Sequence, residues 1–166
     1  MSPKVERFIY ISVIVILSFV LLSFGKKEIE LSKQIPITVE ELYEELGNPK
    51  VNIQIIDVRP YEIPEEEEDE AEDTDYYTGV HIPGAIPFPD CDESKVPEEA
   101  LPHINPHLPT VIVSRDGDME IFKKCAQKFP FAKNLKGGMV AWDEEGYPEE
   151  EGEFEPPASD GGGGCL

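Results

Sequence analysis

The sequence predicts an α/β fold, a parallel central sheet with helices on both faces, preceded by a single transmembrane helix. Three observations carry this reading. An uncharged apolar run fills residues 8–24. Two short β-branched runs, at 53–58 and 110–113, have the length and composition of buried strands. Between and beyond them, apolar residues recur at helical spacing. Strands that alternate with helices pair in parallel and are covered on both sides, and in such sheets the chemistry gathers at the carboxyl ends of the strands.

Residues 1–7 form a short leading segment, and 8–24 read FIYISVIVILSFVLLSF. As a helix this run is about 26 Å long, close to the roughly 30 Å of bilayer hydrocarbon. A cleaved secretory signal is the competing reading. Its apolar core is usually shorter, and Ser23-Phe24-Gly25-Lys26 is a poor small-residue cleavage site. Basic residues flank both ends, Lys4 and Arg7 before and Lys26 and Lys27 after, so charge barely fixes the orientation. The short leading segment favours a single-pass membrane protein with the N-terminus in the cytoplasm and the domain on the opposite side.

A polar linker at 25–36 leads to Thr38-Val39-Glu40-Glu41, which has capping-box spacing. Val39, Leu42, Tyr43 and Leu46 then share a helical face, and Gly47-Asn48-Pro49 stops the helix. The strand at 53–58 follows. The strand at 110–113 runs into a polar turn, then an amphipathic stretch in which Ile121, Phe122, Cys125 and Phe129 share a face.

The motifs Ile56-Asp57-Val58-Arg59, His81-Ile82-Pro83-Gly84-Ala85-Ile86 and Leu135-Lys136-Gly137-Gly138-Met139-Val140-Ala141-Trp142 resemble, in order and spacing, those of the rhodanese-like domain family. The resemblance covers 37–148. Asp57 and Arg59 read as a supporting ion pair, Pro83-Gly84 as a turn, Trp142 as an apolar anchor and His81 as a hydrogen-bonding structural residue.

In the family, the strand equivalent to 110–113 ends in a cysteine, and the resemblance implies that backbone N–H groups converge on its sulfur. Such a cradle lowers the thiol's pKa, and the thiolate carries sulfur as a persulfide. Here the active-site-like loop reads Ser114, Arg115, Asp116, Gly117, Asp118, Met119 and Glu120, with Ser114 at the nucleophile position. A hydroxyl is a far weaker acid and cannot form a persulfide. The three carboxylates of the loop also oppose an anionic substrate. No catalytic residue is therefore assigned.

The remaining readings compete with one another. Cys91 lies in its own loop among acidic neighbours, Cys125 reads as a small buried hydrophobe, and either offers an unorthodox sulfurtransferase nucleophile. A serine hydrolase using His81, His103 or His107 has no elbow motif behind it. Three cysteines, with Cys165, form no zinc site and no disulfide framework. The insertion at 64–77 carries the run Glu65–Asp75 and reads as a solvated loop, or alternatively as a cation-binding surface. The terminus at 149–166 is acidic and Gly-rich, hence expected to be flexible. With 35 acidic against 14 basic side chains and a net charge of −21, nucleic acid is disfavoured. No cofactor and no metal site are expected. The sequence favours a membrane-anchored, non-catalytic module that binds a protein or a ligand, with the Ser114–Glu120 loop or the acidic insertion as the contact and a basic protein as the partner that the charge suggests.

Overall fold

The computed structural model describes residues 13–14, 17–18, 36–64 and 72–156. The expected anchor therefore lies almost entirely outside the described residues. Of it, Val13, Ile14, Leu17 and Ser18 are helical and exposed. Among the described residues no helix is long and apolar enough to cross a membrane.

The domain begins with α1 (Val39–Leu46), capped as its sequence dictates. The Thr38 side chain accepts from the Glu41 N–H, and the Glu41 carboxylate accepts from the Thr38 N–H at 3.0 Å. These bonds hold the Glu41 carboxyl below the usual range. The strands are β1 (Gln54–Asp57), β2 (Ile86–Pro87), β3 (Thr110–Val113) and β4 (Ala132–Asn134). They form one parallel sheet in the order β2-β1-β3-β4, with Ile56 opposite both Ile86 and Ile112. β1 and β3 are central and buried at every position, which is why β3 is wholly β-branched and β1 carries Ile55 and Ile56 beside the buried, hydrogen-bonded Gln54 and Asp57. β2 and β4, two and three residues long at the edges, carry no such signal.

Two further helices are α2 (Met119–Cys125) and α3 (Gly138–Glu144). The chain steps from β1 to β2 in one direction across the sheet, then back past β1 to β3 and on to β4. Right-handed crossovers place α2 and the 3-10 turns of residues 89–103 on one face, and α3 packs against α1 on the other. α2 stops at Cys125, so the amphipathic stretch ends earlier as a helix than its periodicity suggests. Phe129 still reaches the core, 1 % exposed, from the turn that follows.

Two boundaries differ from expectation. The insertion does not run to residue 77 as a solvated loop: a 3-10 turn at Asp73–Asp75 buries Thr74, and Tyr77 is 1 % exposed in the core. Residues 65–71 lie outside the described set. The segment 149–156 is likewise docked, not a loose tail. Glu150 pairs with His81 in an antiparallel bridge, Gly152 N–H donates to the Thr78 carbonyl, and Phe154 joins the hydrophobic core. One aromatic residue among carboxylates outweighs their preference for water, because it removes its ring from solvent while they stay at the rim.

Candidate functional site

The loop after β3 is the centre of the candidate site. Ser114 is 3 % exposed, and its Oγ accepts from the N–H groups of Gly117 at 3.0 Å and Asp118 at 2.8 Å. Among the described residues these are its hydrogen-bond partners. The loop thus curls round the hydroxyl as a backbone cradle, a shape that favours an electron-rich atom at its centre.

Glycines make the curl possible. Gly117 adopts φ +83°, and a Cβ there would come within 2.7 Å of the Gly137 nitrogen. Gly138 adopts φ +61°, and a Cβ there would collide with the carbonyl oxygens of Ser114 and Arg115. Met139 and Val140 N–H groups instead donate to those two carbonyls, at 2.9 and 3.0 Å. The Gly137-Gly138 pair is therefore the joint that seats α3 against the loop.

Asn134, at the end of β4, braces the loop from beneath. Its Nδ2 donates to the Gly117 carbonyl at 2.7 Å, while its Oδ1 is buried without a partner. No sequence pattern marks this residue, because β4 is too short to show one.

The acidic residues of the loop do different things. Asp118 caps α2, accepting from the Glu120 N–H at 2.6 Å. Asp116, Met119 and Glu120 are exposed. Arg115 reaches away from the hydroxyl to the end of the insertion. It donates to Glu72 at 2.7 Å and pairs with Asp75, and these carboxylates hold its pKa above the usual value.

Asp57 and Arg59 form a fully buried ion pair, with Nη2 to Oδ2 at 2.5 Å. The guanidinium also donates to the carbonyls of Thr74, at 2.8 Å, and Val80, at 2.7 Å. The pair therefore does more than neutralise itself. It fixes the segment 74–80, whose start is the same segment that Arg115 grips.

His81 makes the hydrogen bond expected of it. Its Nδ1 lies 3.0 Å from the Tyr77 carbonyl, its ring stacks on Tyr77, and burial pushes its pKa down. His103 packs edge-on against Phe154. His107 is exposed, and among the described residues no histidine hydrogen-bonds the Ser114 hydroxyl. Glu149 was missed by the sequence reading: its Oε1 is buried and unpartnered, and burial, then Asp143, raises its pKa.

The cysteines correct the expectation of separate thiols without a disulfide framework. Cys91 and Cys125 are bonded to each other, with Cα atoms 5.4 Å apart, inside the usual disulfide range. Asp90 and Cys91 adopt φ +52° and +56°, and this left-handed turn after β2 swings Cys91 towards α2. Sequence spacing cannot show such a turn. Both residues are buried, at 3 % and 0 % exposed. Neither presents a thiolate in this state. Among the described residues no group of three or more His, Cys, Asp or Glu is placed to hold a metal ion.

No curated protein matches the chain. Solved structures do. The BH2092 protein of Bacillus halodurans aligns at 21 % identity and TM-score 0.51, over 78 % of this chain and 84 % of its own. The 3-mercaptopyruvate sulfotransferase SseA of Escherichia coli aligns at 22 % identity and TM-score 0.52, over 75 % of this chain and 53 % of its own. The thiosulfate sulfurtransferase of Pseudomonas aeruginosa aligns at 20 % identity and TM-score 0.50, over 72 % of this chain and 20 % of its own. At these identities the likeness speaks for the fold. Residues 38–145 match the Rhodanese-like domain family over most of the chain, in keeping with the parallel sheet and the cradled loop, and the chain belongs to that family.

Proposed function

We propose that this chain is a membrane-anchored rhodanese-like module that has lost sulfur transfer and acts by binding a protein partner. The observation that carries the reading is the cradle itself. Two backbone N–H groups converge on an oxygen, Ser114 Oγ, where the family's chemistry calls for sulfur. A persulfide needs a thiolate to attack a sulfane sulfur, and a hydroxyl with no adjacent base supplies neither the charge nor the sulfur. The remaining described cysteines are bonded to each other and buried, which removes support from an unorthodox nucleophile.

The disulfide also supports the placement of the domain. Such bonds persist in oxidising compartments and are rare in the cytosol. That fits an N-terminus in the cytoplasm, an anchor at 8–24 and a domain on the far side. The acidic surface favours a basic protein partner over an anionic one.

The test is turnover by the full-length chain in neutral detergent. With thiosulfate as donor and cyanide as acceptor, thiocyanate should form no faster than in a protein-free control. Thiocyanate production that persists after alkylation of free thiols, and is lost in Ser114→Ala, would overturn the proposal.

A further inference from the structure

At the opposite end of the sheet from the Ser114 loop, an apolar groove of about 780 Å³ opens between α1 and α3. It lies where the chain enters β1 and β2, lined by Tyr43, Leu46, Pro49, Pro83, Trp142 and Pro148. Its aromatic wall is ordered. Tyr43 stacks on Tyr147 with ring centroids 4.4 Å apart and meets the edge of Trp142 at 6.2 Å, while the Trp142 Nε1–H donates to the Pro148 carbonyl at 3.0 Å. Yet Tyr43 and Leu46 remain 45 % and 38 % exposed, among the large apolar side chains the domain leaves in water.

The two helices that flank this wall carry acidic side chains and no basic ones. Glu40 and Glu44 rise from α1 and Glu145 from the end of α3, all exposed. Besides partial burial, these three carboxylates hold the Tyr147 phenol above its usual pKa, so their field reaches the ring stack. Lys133 is paired with Glu45 at 3.6 Å, and Lys50, next to the groove-lining Pro49, is the exposed basic residue at the rim. A second copy of the chain would bring another net charge of −21 to this face, and anionic lipid or nucleic acid would be repelled in the same way.

We infer that the Tyr43–Trp142 groove is the docking site for a partner segment presenting arginine between apolar residues. A guanidinium stacks on an exposed tyrosine face and pairs with a carboxylate at once, while its aliphatic stem and the flanking apolar residues cover Leu46 and the prolines. This rests on the binding-module reading and names the class of its partner. It places the contact away from the Ser114 loop.

Trp142 is the only tryptophan of the chain, so its emission reports on the groove. The full-length chain in neutral detergent is titrated with a blocked hexapeptide of alternating arginine and leucine, and with the same peptide carrying serine for arginine. A saturable change in Trp142 emission is expected with the arginine peptide. Affinity should fall at least tenfold with the serine peptide, in Tyr43→Ala and in Glu44→Lys. It should stay within twofold in Tyr43→Phe and on deletion of residues 65–71. Equal affinity in Tyr43→Ala and Glu44→Lys, with a loss on deleting 65–71, would overturn the groove and leave the binding-module reading standing. Concentration-dependent dimerisation that quenches the same emission would show a second copy as the occupant and overturn it too. Sulfur transfer in the separate turnover assay would instead strike the underlying reading.

Discussion

At the scale of single residues, the Ser114 oxygen is held where the backbone dipoles of Gly117 and Asp118 converge. If the cradle is intact, a thiol placed in it should be acidified. In a Cys165→Ser background, Ser114→Cys should show a thiol pKa clearly below the unperturbed value of about 8.5, read from the pH dependence of its alkylation rate. The Gly117 and Asp118 N–H groups are the cause. A pKa of about 8.5 or above would mean that the donors do not stabilise negative charge there. Glu149 makes a second prediction at this scale. Burial keeps its carboxyl above the ordinary 4.5, so the folded state takes up a proton before the unfolded chain does. Its contribution to stability therefore falls as pH rises from 4.5 through the folded value. Glu149→Gln should raise the unfolding midpoint at pH 7, and the gap should close as the pH drops below 4.5. A gap that is constant with pH would rule out ionisation as its source.

At the scale of elements, the site is assembled by joints between segments remote in sequence. Arg59 ties β1 to the 74–80 segment, and Glu72 and Asp75, just before and within that segment, hold Arg115. Arg59→Met leaves Asp57 as a buried charge without its partner, which should cost about 3–5 kcal/mol in urea denaturation. A loss under about 1 kcal/mol would mean that water reaches Asp57, contrary to its burial. Some of this was legible in the sequence. The capped α1, the two central strands and the glycine joint before α3 all announce themselves, because each rests on local chemistry: a capping box, a β-branched run, a pair of glycines. The rest depends on contacts that periodicity does not encode. β2 and β4 are too short to form a pattern. The docking of Phe154 and the folding of residues 72–77 were hidden inside acidic stretches whose composition reads as solvated. The roles of Asp118 as a helix cap and of Asn134 as a brace follow from geometry alone.

At the scale of the whole molecule, the proposed placement draws on an apolar run of anchor length and on a disulfide on one face of the sheet. The disulfide gives the proposed orientation a test. If the domain lies in an oxidising compartment, alkylating intact cells before lysis should leave Cys91 and Cys125 unlabelled, with labelling only after reduction. Full labelling of both without reduction would place the domain in the cytosol. The family membership establishes a fold related to sulfurtransferases, while the proposed loss of chemistry rests on the atom at the centre of the cradle. The most direct test is the intact mass of the full-length chain after incubation with thiosulfate or 3-mercaptopyruvate under non-reducing conditions. The mass should be unchanged. A gain of one sulfur atom that cyanide removes would contradict it.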